Sequence, residues 1–206
     1  MIEPGLFDMI MRLRSSGISD TNVLRAMETI PRSSFVAARL TMQSYDEMDL
    51  PIECGQSLSA PLTIAMMCQV LDVKPDHKVL HVGAGSGYAT AILAKLCKRV
   101  YAVERYKTLV ELAEPRLQKY APNAVLRHGD GRLGWRGQAP FDRILVSAGV
   151  EKMPVALENQ LAAGGRLALV IDDQLTVAAK ARTNMTQKIV LKLSLPMIEA
   201  GKARAL

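Results

Sequence analysis

One stretch constrains the fold of this chain more than any other: Val79-Leu80-His81-Val82-Gly83-Ala84-Gly85-Ser86-Gly87-Tyr88. Four residues of strand character run into three glycines at alternate positions. An apolar, Ala-rich helical pattern follows over residues 88–96. Glycine lets the backbone turn sharply and leaves no side chain between the main chain and a ligand. The helix N-terminus adds free N–H groups and a partial positive charge. The spacing, G-x-G-x-G, is one residue shorter than the dinucleotide fingerprint, and by itself it also fits a plain tight turn between strand and helix. A second strand-like run, residues 100–104, ends in Glu104. That places an acid about 20 residues after the glycines, where it can accept hydrogen bonds from ribose hydroxyls. A solvated strand end is the competing reading of Glu104.

The surrounding chain alternates strand and helix patterns. Leu6, Ile10 and Leu13 recur at helical spacing, with Gly17 as the stop. Asp20 is placed to cap a second helix through Val23, Leu24, Met27 and Ile30, which ends before Pro31. These two helices predict a helical cover. In the mixed segment that follows, Phe35, Val36 and Leu40 are expected to pack on the main body. Residues 50–61 crowd Pro, Gly and small polar residues and cannot be regular structure throughout. A helix with Leu62, Ala65, Met66, Gln69 and Val70 comes next. From spacing alone Ser59 reads as its N-cap, with Pro61 in the first turn. Further elements are a helix over 106–120 that contains Pro115, a strand at 124–126 running into the turn 128–131, and a strand over 141–146 ending at 147–149. Then come a helix over 154–161, a strand over 166–171 after Gly164-Gly165, a turn at Asp172-Asp173, and an antiparallel pair from 175–181 and 188–195. This order predicts an α/β domain with a mainly parallel sheet, helices on both faces and ligand-binding groups just past the strand C-termini. One domain is expected over 1–206: the N-terminal helices and an active-site segment over 1–60, the α/β core over 61–206.

Composition narrows the function. Of 206 residues, 49% are hydrophobic and 22% charged, an ordinary globular mixture. The net charge is +6, but Lys and Arg are scattered and no basic block carries interleaved aromatics, so nucleic acid is not the expected partner. Cys54, Cys68 and Cys97 form no C-x-x-C pair and read as reduced thiols of a cytoplasmic protein. Residues 1–20 contain no signal-type apolar stretch, and no apolar run is long enough to span a bilayer, so no membrane association is expected. There is no Ser-His-Asp set and no His/Cys cluster with metal spacing, so no metal is expected.

Several motifs together resemble the protein-L-isoaspartate O-methyltransferases, S-adenosylmethionine-dependent carboxyl methyltransferases. They are Gly17-Ile18-Ser19-Asp20, Pro31-Arg32-Ser33-Ser34-Phe35-Val36, Leu50-Pro51-Ile52, Gly55-Gln56-Ser57-Leu58-Ser59, the Gly83–Tyr88 turn, Val103-Glu104-Arg105, His128-Gly129-Asp130-Gly131 and Gly164-Gly165-Arg166-Leu167. The glycine turn marks only the methyltransferase fold. The Gly-Gln-Ser-Leu-Ser segment, close to the family's G-Q-T-I-S, is far more specific. The resemblance implies a Rossmann-like class I methyltransferase fold and methyl transfer from S-adenosyl-L-methionine to isoaspartyl carboxylates in proteins or peptides, leaving S-adenosyl-L-homocysteine. It implies Gly83, Ala84, Gly85, Ser86 and Gly87 along the methionine moiety, Glu104 with Arg105 at the ribose, and Asp130 with Gly131 at the adenine. Ser57 and Ser147 complete the cofactor side, and Ser59 is implied as the active-site serine.

The sequence departs from the family at four places. His81 stands where an acid usually precedes the first glycine. A protonated imidazole there would repel the cofactor's ammonium, so binding is expected to weaken below a pH of about 6.5; a satisfied strand-end histidine is the competing reading. Leu169-Val170-Ile171-Asp172 lacks the usual Pro-Val-Gly, Ser194-Leu195-Pro196-Met197 replaces an aromatic ending, and Ser147-Ala148-Gly149 stands near T-A-A. The C-terminal changes are expected on the substrate side. They leave two alternatives: a different acid substrate, or a cofactor-binding protein without turnover.

Overall fold

The computed structural model describes residues 5–181 and 184–203. The chain opens with helices α1 (Leu6–Ser15) and α2 (Thr21–Thr29). Gly17 stops α1 as expected. Its φ is +92°, its N–H donates to Arg14 C=O, and Ile18 N–H donates to Leu13 C=O, a Schellman ending. Asp20 Oδ1 accepts from the N–H groups of Asn22 and Val23 and caps α2. Two 3-10 turns, Arg32–Phe35 and Ala38–Gln43, follow. The segment expected not to be regular throughout holds only a small antiparallel pair, β1 (Leu50–Pro51) with β2 (Ser57–Leu58), ahead of α3 (Pro61–Leu71).

The α/β body runs β3 (Lys78–Val82), α4 (Tyr88–Leu96), β4 (Arg99–Glu104), α5 (Lys107–Tyr120) and β5 (Ala124–His128). It continues through β6 (Phe141–Val150), α6 (Val155–Glu158), β7 (Leu161–Ile171), β8 (Gln174–Lys180) and β9 (Met185–Lys192). The sheet order is β5-β4-β3-β6-β7-β8-β9. Strands β3 to β7 are parallel, and β8 lies antiparallel to both its neighbours. The chain winds outward from β3 through β4 and β5, then returns to β6 on the other side of β3. Strand order therefore reverses between β3 and β6, and a crevice opens there past the strand C-termini.

Burial on both faces makes the central strands almost continuously apolar. Val79 and His81 of β3 face α3 and α4, with α1 and α2 packed over them, whereas Leu80 and Val82 face the other layer. That second layer is lighter: α6, the 3-10 turns Gly131–Leu133 and Arg136–Gln138, and Trp135 on Tyr101. Phe35 and Val36 are buried and Leu40 packs against the same core.

The structure moves several expected boundaries. Helix α6 spans four residues, not 154–161, because Phe141 pairs with Leu161 and its N–H donates to Gln160 C=O, which commits the chain to β7 early. Strand β6 runs on through Gly149 to Val150 past a register shift against β7. Strand β9 lies three residues earlier than 188–195, since Leu193 N–H closes onto Asp173 C=O at the β7–β8 turn. In that turn Asp172 and Asp173 both have positive φ, 47° and 57°, as a two-residue hairpin of type I′ requires. Helix α5 runs through Pro115 without a break.

Replacing Asp20 by alanine removes the α2 cap and is expected to cost about 1 kcal/mol, lowering the melting temperature by roughly 2–4 °C. Thermal unfolding of the two proteins checks this, and cofactor affinity should not change.

Candidate active site

The crevice between β3 and β6 encloses a cavity of about 140 Å³. Gly83 ends β3 at its base, with φ +83°, and Ser147 ends the straight part of β6 opposite it. A side chain at Gly83 would meet Ser147 backbone at 3.5 Å in a backbone conformation that L residues rarely adopt. Gly85, φ +55°, faces Ile52 of the Leu-Pro-Ile segment at a similar distance. The glycine loop is tied down from β4. Gly83 and Ala84 donate to Val103 C=O, and Gly85 N–H donates to Glu104 Oε2 at 2.8 Å. Glu104 Oε1 accepts from Tyr106 N–H at 2.9 Å. Glu104 is 5% exposed, so both bonds are sheltered from water. Each carboxylate oxygen keeps a lone pair for a further donor.

Ser147 reaches the cavity because β6 bulges. Leu145 pairs with Ala168 and Gly149 with Val170, so three residues of β6 oppose one of β7 and swing toward the crevice. Ser147 Oγ is 2.8 Å from His81 Nε2, and His81 Nδ1 is 2.8 Å from Thr90 Oγ1. Both partners are hydroxyls, so a neutral imidazole can donate through one ring nitrogen and accept through the other. Complete burial pushes the His81 pKa down to about 4. The expectation that His81 governs cofactor binding near pH 6.5 is therefore corrected in favour of the competing one, a strand-end histidine with both nitrogens satisfied. The ring lies beneath the cavity floor, held by two hydroxyls, and stays neutral through that range.

Ser59 is also corrected as a cap. Ala60 occupies the N-cap of α3 and makes no side-chain cap. Two distant carboxylates serve instead: Asp49 Oδ1 accepts from Ala60 N–H and Glu47 Oε1 from Leu62 N–H. Ser59 lines the cavity together with Ser57. Of the other expected residues, Gly83, Gly85, Glu104, Arg105, Gly131 and Ser147 line it too. Ala84, Ser86 and Gly87 shape the loop from outside the wall: Ala84 and Ser86 are buried, and Gly87 packs on Ala113 and Leu117 of α5. Asp130 is not among the lining residues. Its carboxylate accepts from Arg132 and from Gly201 N–H. Partial burial raises its pKa, but those bonds outweigh burial and hold the carboxyl below its ordinary value.

The outer wall was not expected. Residues 195–203 cross the strand ends as a strap. Gly149 N–H donates to Pro196 C=O and Ile198 N–H to Gly149 C=O. Arg105 pairs with Glu199 at 2.6 Å, and His128 Nε2–H donates to the carbonyls of Arg105 and Ala203. Pro196, Met197, Ile198 and Glu199 thereby face Glu104 and Tyr106 across the cavity. The altered ending, expected on the substrate side, lines the same cavity as both Ser59 and Glu104.

A family description, protein-L-isoaspartate (D-aspartate) O-methyltransferase, matches residues 7–198. The chain belongs to this family. A protein-L-isoaspartate O-methyltransferase of Rhodospirillum rubrum is 45% identical over 185 residues, 89% of this chain and 84% of that one. One of Maricaulis maris is 40% identical over 209 residues, 99% of this chain and 98% of its own. A Plasmodium falciparum protein of that name, solved with S-adenosyl-L-homocysteine, superposes with a TM-score of 0.82 at 22% identity, over 93% and 97% of the two chains. At that identity the likeness speaks for the fold. Within this family frame the loop fits an S-adenosyl group. A positive-φ glycine cradle lies against the crevice, and a sheltered carboxylate with spare acceptor capacity stands beside it.

His81 makes stability depend on pH. Its folded pKa, about 4, lies below the unfolded value, so the unfolded chain binds the proton more readily. Its contribution is complete above about pH 6.5 and is lost as pH falls from there toward 4, by about 3 kcal/mol in all. Urea unfolding between pH 7 and 4.5 should show this fall, and His81→Gln should flatten it. Equal profiles would remove His81 as the cause.

Proposed function

We propose that this chain methylates the free carboxylate of L-isoaspartyl residues in damaged proteins and peptides, using S-adenosyl-L-methionine. The observation that carries the reading is convergence. Ser59, the Gly83–Gly87 loop and Glu104 come from three separate parts of the chain and meet at one crevice. Family membership supports the same activity.

When bound, the cofactor supplies an electrophilic methyl group on a cationic sulfur. The residues would divide the remaining work. Gly83 and Gly85 allow close approach of the main chain, Glu104 would accept from ribose hydroxyls, and Gly131 would lie at the adenine. Asp130 would act from outside the wall, by holding Gly201 and Arg132. An isoaspartyl linkage frees an α-carboxyl that titrates near about 3.5, so the nucleophile is ionised at neutral pH and needs no general base. His81 is unsuited to that role in any case, since both its nitrogens are engaged. The Ser59 hydroxyl would donate to one carboxylate oxygen and leave the other for in-line attack. Holding the reactants in that geometry can supply roughly 7–11 kcal/mol of the barrier. Among the described residues no helix is long and apolar enough to cross a membrane. The free thiols of Cys54, Cys68 and Cys97 support a reducing, cytoplasmic setting.

The test is methyl transfer to matched isoaspartyl and aspartyl peptides. The wild type should act on the isoaspartyl peptide alone. Ser59→Ala should lower single-turnover rate on the order of a hundredfold while cofactor affinity holds. Because Ser59 does not cap α3, its melting temperature should barely move. Tight cofactor binding without transfer to either peptide would contradict the function.

A further inference from the structure

We propose that Arg32 and Asp49 are positioning residues for methyl transfer, gripping the Ser59–Ala60 peptide unit from its two ends so that the Ser59 side chain is presented to the crevice. The inference rests on the role given to Ser59 above. Arg32 Nη2 donates to Ser59 C=O at 2.8 Å, and Ala60 N–H donates to Asp49 Oδ1 at 2.8 Å. That carbonyl and that N–H belong to one planar peptide group. Fixing both ends fixes the plane and the Ser59 Cα–C bond within it; the β1–β2 pairing at Leu58 holds the chain on the other side of that Cα, and together they set the direction of the Ser59 side chain. The bond from the buried Arg32 guanidinium is charge-assisted and correspondingly strong.

Arg32 also ties the clamp to the cofactor side. Its guanidinium lies 5.2 Å from the ring centroid of Tyr88, the first residue of α4 after the glycine loop. Phe35, from the same 3-10 turn, packs edge-on against that ring at 5.4 Å. Arg32 Nε donates to Ser44 C=O at 2.7 Å, which anchors the guanidinium on a third side. The guanidinium thus spans the serine segment and the start of the helix that carries the loop. A simple packing role explains this poorly. Arg32 is 0% exposed, and its Nη1 has no hydrogen-bond partner among the described residues. A buried cation with an unsatisfied donor is costly to keep, and an apolar side chain would fill the site more cheaply.

The test is steady-state kinetics on an isoaspartyl peptide, with S-adenosyl-L-homocysteine affinity and melting temperature measured on the same samples. Asp49 is exposed, so Asp49→Ala can be examined in a folded protein even where Arg32 variants unfold. Asp49→Ala should lower kcat about tenfold, the loss of one good hydrogen bond, with product affinity within about twofold. Asp49→Asn, whose amide oxygen still accepts the Ala60 N–H, should recover most of the rate. Arg32→Lys should lose more than Asp49→Ala, because an ammonium cannot reproduce the fork. The deciding readout is the double-mutant cycle. In a Ser59→Ala background Asp49→Ala should have no further effect on kcat. An unchanged kcat in folded Asp49→Ala, or a loss that multiplies with that of Ser59→Ala, overturns the clamp. Wild-type turnover in Ser59→Ala overturns the Ser59 assignment and the clamp with it. A wild type inactive on the peptide overturns the proposed function instead.

Discussion

The carboxylate of Glu104 is the interaction on which the crevice depends. One oxygen takes the Gly85 N–H from the loop after β3, and the other takes the Tyr106 N–H at the start of α5. A single buried group thus ties the glycine loop to the end of the neighbouring strand. Leaving either N–H unpaired in so sheltered a place would cost about 1–3 kcal/mol. The loop is therefore shaped before any ligand arrives. The N–H groups of Gly83 and Ala84 turn toward Val103 C=O and that of Gly87 toward Ala84 C=O. In the proposed function the same carboxylate also meets the ribose, so structure and recognition share one side chain.

The strap of residues 195–203 depends on backbone more than on charge. The Arg105–Glu199 pair involves a Glu199 side chain that is 60% exposed, and such a pair contributes at most about 1 kcal/mol. The bonds from Gly149 to Pro196 and Ile198 are main-chain contacts, as is the seat of Ala203 against Arg105. They require a residue without a side chain at Gly149, where a Cβ would stand 2.8 Å from Leu195 O. Gly131 is under a similar constraint, since a Cβ there would run into Val82 Cγ1.

The fold was legible wherever local chemistry decides structure. Asp20 before an apolar period, Gly17 after one, and the paired aspartates 172 and 173 each act within a few residues, and each does what its neighbours imply. The glycine turn, and Glu104 as the last residue of its strand, were legible for the same reason, whereas the bond from Gly85 to Glu104, 19 residues apart, was not. What escaped was set by contacts between distant residues. Ser59 sits where an N-cap is expected, but Asp49 and Glu47 reach α3 from the preceding loop and take its N–H groups. His81 reads as a titrating neighbour of the cofactor until Thr90 and Ser147, 9 and 66 residues away, claim both nitrogens. The bulge in β6 and the strap have no local signature, because each exists only once β7 and the chain end are in place.

The most direct test of the role of Glu104 is the dissociation constant of S-adenosyl-L-homocysteine, measured by calorimetry for the wild type and Glu104→Gln. The glutamine conserves shape but replaces one acceptor oxygen with a donor, so it cannot hold both N–H groups and serve the ribose as well. Binding should weaken by about tenfold to a hundredfold, the worth of a hydrogen bond to a charged group. An unchanged constant in a folded Glu104→Gln protein would contradict the central place given to this carboxylate.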